Sequence, residues 1–163
     1  MIATADEQAR RLENVAQGVA QLLSAPMTTS ALKASDHQDE WSVMELLGHL
    51  VEMIPYWLHS CQTILAADHP PTFGRSLEAP ERLDGVKRGA TLGLPTALAQ
   101  LQAEIQQGTA LIRGMSDEQR RKKGNHLVRG ELTVGEIIET LIVAHAEAHL
   151  AQLQSTVAKQ AQR

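Results

Sequence analysis

Apolar spacing is the strongest constraint on this chain. Four stretches repeat hydrophobic residues at three- and four-residue intervals, the period of a helix with one buried face. In residues 6 to 24, Leu12, Val15, Ala16, Val19, Leu22 and Leu23 recur among Asp, Glu, Gln and Arg, and Pro26 with Thr28, Thr29 and Ser30 ends the run. The second stripe, Val43, Leu46, Leu50, Ile54, Trp57, Cys61 and Ile64, continues to about Ala66 and stops at Asp68-His69-Pro70-Pro71. Pro55 lies inside it and is expected to bend the helix, because its ring removes a donor and crowds the preceding turn. A third helix starts at Pro95, buries Leu98, Leu101, Ile105 and Ile112, and closes at Gly114. A fourth runs from Thr133 to about Ala158, with Val134, Ile138, Leu141 and Ile142 inward.

Local start signals agree with these periods. Ser42-x-x-Glu45 and Thr133-x-x-Glu136 are capping boxes, in which the hydroxyl accepts from the third helical amide and the carboxylate accepts from the cap's own N–H. A short helix is expected from Ser116, and a loop from Gly124 to Gly130. No stretch reads as a strand. Residues 68 to 93, broken by Pro70, Pro71, Pro80, Gly74, Gly85, Gly89 and Gly93, read as one long irregular connection. The expected fold is all-α, a four-helix bundle with a long connection between the second and third helices, formed by residues 1–163 as a single domain.

Composition narrows the function classes. Aromatic residues are 2% of the 163, so the core is aliphatic, which favours helices. A net charge of -4 gives no general attraction to nucleic acid or to an anionic membrane. The basic run Arg120-Arg121-Lys122-Lys123 follows Asp117 and Glu118 and reads as a solvated segment. The lone Cys61 excludes an internal disulfide, and no segment has the pattern of a membrane span or signal peptide. The expectation is a cytoplasmic protein without nucleic-acid or membrane partners. Aliphatic first and second helices are compatible with a homodimer.

Seven histidines stand out against this background. His145 and His149, four residues apart, lie about 40° apart around their helix and can reach one metal ion. They follow Ile138, Leu141 and Ile142 in helical phase and precede Gln152, so they face the bundle interior, either as hydrogen-bonded core histidines or as ligands. A zincin helix would need Glu directly after the first His; position 146 is Ala, and Glu147 lies about 200° round the helix. Two imidazoles need further ligands, and His49, at the edge of the second stripe beside Glu52, Met53 and Tyr56, is the best third candidate. His59 falls among polar residues, and His37 and His69 fall in loops.

The stretch Trp41-Ser42-x-x-Glu45-Leu46-Leu47-Gly48-His49-Leu50, with His145-x-x-x-His149-Leu150-x-Gln152, resembles the DinB-like (YfiT-like) metal-binding four-helix bundles. His126-x-x-x-Gly130-x-Leu132-Thr133 is similar to that family's lead-in to its last helix. The resemblance implies that His49, His145 and His149 form a metal triad completed by water, with nickel or zinc as common occupants. Three protein ligands and an open position are expected of a catalytic site. It further implies a small-molecule substrate and either a low-molecular-weight thiol cofactor, as in thiol-dependent transferases and isomerases, or water, as in hydrolases. The alternative is a stress-linked metal-binding bundle without turnover, serving in binding or interaction. Glu52 and Tyr56 are candidates to support the ligands or meet substrate, and Gln152 to orient His149 or a bound water.

Overall fold

A computed structural model describes residues 2–35 and 40–162. Four long helical units form its frame: α1 (Ala5–Leu22), α3 (Val43–Ala66), α5 (Leu94–Gly114), and a last unit in which α7 (Val134–Ile137), a π-helical segment (Ile138–Val143) and α8 (Ala144–Ala161) run on without a break. The short α2 (Thr29–Lys33) and α6 (Asp117–Arg121) are connectors. α1 packs on α5 and on α8, and α3 packs on α5 and on α8. The bundle is therefore mainly helical, as the apolar periods predict, and no described helix is long and apolar enough to cross a membrane.

Its interior is aliphatic. Leu12, Leu46, Leu47, Leu50, Ile54, Leu101, Ile105, Ile112 and Ile137 are all essentially inaccessible to solvent. Both expected capping boxes form: Ser42 Oγ accepts from Glu45 N–H at 3.3 Å while Glu45 accepts from Ser42 N–H at 2.8 Å, and Thr133 and Glu136 repeat the pattern. Pro55 lies within α3 without ending it.

The segment read as an irregular connection contains a helix. α4 (Pro80–Thr91) lies against α3, and its glycines make that contact instead of interrupting it. A Cβ on Gly48 or Gly89 would strike the facing backbone, and one on Gly85 would strike the Glu52 side chain. The two helices thus touch at Gly48, Gly85 and Gly89.

Strands also occur where none was expected. β1 (Thr72–Phe73) pairs in parallel with β2 (Lys123–His126), and β2 pairs antiparallel with β3 (Gly130–Thr133). The expected loop from Gly124 is mostly this hairpin; Gly130, at φ 78, supplies the left-handed position that closes its short turn.

Candidate metal centre

α3 carries His49 two turns after the Ser42 cap, and α8 carries His145 and His149 one turn apart. Packing of α3 on α8 brings the rings together. The Nε2 atoms of His49 and His145 are 3.5 Å apart, and one ligand nitrogen from each of the three residues lies within 4.8 Å of the others. Two nitrogens bound to one tetrahedral metal at the usual length lie about 3.4 Å apart, so this spacing suits a shared ion.

The remaining ring nitrogens are partly held from behind. His149 Nδ1 lies 3.0 Å from Gln152 Oε1, so an Nδ1–H donating to the amide oxygen leaves the Nε2 lone pair free. His49 Nδ1 faces Glu52 Oε2 at 3.8 Å. His49 Nδ1 and His149 Nε2 are buried with no hydrogen-bond partner among the described residues.

Burial and mutual proximity keep the cluster uncharged. Burial, followed by the nearby His149, His145, Arg82 and Arg75, holds the His49 imidazolium down to about 2. Burial and then His149 hold His145 down to about 4, and burial lowers His149 as well. At neutral pH all three imidazoles are therefore neutral, the form that ligates a metal.

The inward orientation read from helical phase needs adjustment. Ala146 and Leu153 are the buried residues of α8, while His145 and His149 are half-buried at the core's edge. The π-helical segment just upstream winds more widely than 3.6 residues per turn, so phase counted from Ile138 and Leu141 does not carry unchanged to His145.

Charged and aromatic groups surround the cluster. Trp41 packs against His49 and His149, with ring centroids 4.9 and 6.1 Å apart. Glu52 forms a two-pronged ion pair with Arg75, and the guanidinium of Arg75 lies 3.8 Å over the Tyr56 ring. Tyr56 therefore reaches the site through Arg75 and Glu52. Glu52 also borders a cavity of about 450 Å³ between α3, α4 and α5 that contains none of the three histidines.

His126 has a structural position. Its Nδ1 accepts from the N–H groups of Val128 and Arg129 at 3.1 and 3.2 Å, closing the hairpin turn, and its ring packs on Trp57 and Phe73. Gly74, at φ 109, runs close to that ring; a Cβ there would meet its Nε2. His59 and His69 are exposed, and His37 lies outside the described residues. Sequence reading missed the contributions of Arg75 and Arg82, because both fall in the segment taken as irregular. The Gly85-x-x-x-Gly89 spacing puts both glycines on one helical face, but it is readable as such only once α3 is known to pack there.

Three neutral imidazoles converging at the edge of an aliphatic core suit a divalent transition metal. The family described as the DinB superfamily matches residues 6–153. Among solved structures, YfiT from Bacillus subtilis, described as a probable metal-dependent hydrolase with an unusual four-helix bundle topology, is similar at 22% identity with a TM-score of 0.83, over 99% of this chain and 91% of that one. A mycothiol-dependent maleylpyruvate isomerase is similar at 10% identity with a TM-score of 0.73, over 93% of this chain and 61% of that one. An uncharacterized protein from Clostridium difficile 630 aligns at 13% identity with a TM-score of 0.72, over 99% of this chain and 98% of that one. At such identities the likeness establishes the fold. No curated protein sequence matches significantly.

Proposed function

This chain belongs to the DinB superfamily, and from that premise we propose that His49, His145 and His149 hold a divalent transition metal, nickel or zinc, through Nε2. The protein is then a metal-dependent enzyme acting on small molecules, best read as a transferase that joins a low-molecular-weight thiol to an electrophile. The observation that carries this reading is the convergence of three neutral imidazoles, with Gln152 holding the His149 ring so that its buried Nε2 is left without a partner. A metal held by three side chains keeps a position open and lowers the pKa of a thiol or water bound there.

The surroundings support the thiol over water. Hydrolysis is helped by a free carboxylate that takes a proton from water. Glu52, the carboxylate beside His49, is instead engaged by both prongs of the Arg75 guanidinium, and the residue after His145 is the buried Ala146. A thiol, with an ordinary pKa of about 8.5, needs less help to ionise. Both chemistries occur in the names of the structural relatives, one a probable metal-dependent hydrolase and the other a thiol-dependent isomerase.

The test incubates metal-loaded protein with small thiols and electrophiles and compares conjugate formation with that of His49→Ala. A metal-dependent rate that disappears in the variant is expected. No metal-dependent rate with any pair would favour the metal-binding bundle without turnover.

A further inference from the structure

Arg82 has features of a substrate-binding group that the metal reading leaves unexplained. It projects from the first turn of α4, the helix that Gly85 and Gly89 seat directly on α3. Its guanidinium lies 5.0 Å over the Trp41 ring, and the same ring packs against His49 and His149. One indole thus contacts both the cation and the histidine cluster. Arg82 is partly buried, and burial is the first cause of its lowered pKa, which measures the cost of holding that charge out of water.

No carboxylate among the described residues pairs with Arg82, whereas three other arginines are paired. Arg75 is taken by Glu52, Arg11 by Glu139 and Glu147, and Arg113 by Asp6 and Glu13. Among the described residues, Arg82 makes one hydrogen bond, from Nη1 to the Leu77 carbonyl at 2.7 Å, which uses one of its five donors. A planar guanidinium with parallel donors matches a carboxylate.

We propose that Arg82, seated on Trp41, is the carboxylate-binding residue of the site, and that one of the two reactants is a small carboxylic acid. This rests on the metal-site reading above, but Arg82 itself is no metal ligand. The carboxylate belongs either to the thiol or to its reaction partner.

Equilibrium titration by calorimetry separates these sources and is independent of turnover. One probe pair is 3-mercaptopropionate against 2-mercaptoethanol; the other is fumarate against fumaramide. Each is titrated singly into metal-loaded and metal-free wild type, Arg82→Gln and Arg82→Lys, with metal content and thermal midpoint recorded for every sample. The charged member of one pair is expected to bind wild type and to lose at least tenfold in Arg82→Gln, with partial recovery in Arg82→Lys and no change for its neutral partner. The pair that responds identifies which reactant carries the carboxylate. Binding of both charged probes with equal affinity to wild type and Arg82→Gln, or no binding of either to wild type, overturns the proposal. A wild type that takes up no metal would sink the metal reading separately, since the Arg82 dependence is expected in the metal-free protein too.

Discussion

Two polar clusters are strung along the last helical unit, and they are built on opposite principles. Near its start, the fully buried Gln8 donates to the Gly135 carbonyl at 3.2 Å and to Glu139 at 2.8 Å, and accepts from Arg120 at 2.8 Å. Arg120 also donates to the Ala3 carbonyl, while Arg11 joins Glu139 to Glu147. That cluster is closed, since its members satisfy one another. Further along, His145 and His149 meet His49 with ring nitrogens left over. Orphaned atoms alone do not define a site, for Trp57 Nε1 is also buried without a partner. Convergence of three donors of one chemical type on one point is what separates the second cluster from the first.

The contrast can be broken by mutation, and stability shows the largest effect. Gln8→Leu strands the buried Arg120 guanidinium and is expected to lower the unfolding free energy by about 3 kcal/mol, measured by urea titration. His149→Leu in the metal-free protein is expected to change it by less than about 1 kcal/mol, because it removes one buried nitrogen without a partner and only one hydrogen bond, to the exposed Gln152. Equal losses would mean that the histidines are a stabilising cluster like the other.

Metal affinity sharpens the comparison from the other side. Gln152→Ala removes the group behind His149 and should weaken metal binding about 10- to 100-fold, read by competition with a chelator, while the metal-free melting temperature hardly moves. Gln8→Leu should leave that affinity unchanged.

The pH dependence of stability tests the same contrast in the metal-free protein. Unfolded imidazoles take up protons near 6.5, whereas the folded state resists until about 4 for His145 and about 2 for His49. Below 6.5 the unfolded chain therefore binds more protons, and the metal-free protein should lose stability as the pH falls, a loss that is absent above 6.5. Urea midpoints at pH 7 and pH 5 check this, and His49→Leu should flatten the decline.

Much of this molecule is legible in its sequence because long amphipathic periods and capping boxes are local signals. The buried stripe from Val43 to Ile64 and the Ser42 cap can both be read without knowing what they pack against. Elements defined by their partners are hidden. Glycine costs about 1 kcal/mol in a helix interior, so Gly85 and Gly89 read as breakers until α3 lies close enough to need them. β2 is short and polar, and it exists through its pairing with β1 and β3. Arg120 sits in a run of like charges that reads as solvated, yet it is 9% exposed because Gln8, more than a hundred residues away, waits for it. At the candidate site, the four-residue spacing of His145 and His149 is legible in the sequence, whereas the Arg82–Trp41 stack depends on how α4 docks.

The central claim is that the second cluster is a metal site, and elemental analysis tests it most directly. Wild type and the His145→Ala/His149→Ala variant are purified, reconstituted with nickel or zinc, freed of excess metal and assayed for bound metal per chain. Near-stoichiometric metal in wild type and none in the variant is predicted; a wild type that stays metal-free after reconstitution, or a variant that retains as much metal as wild type, would contradict it.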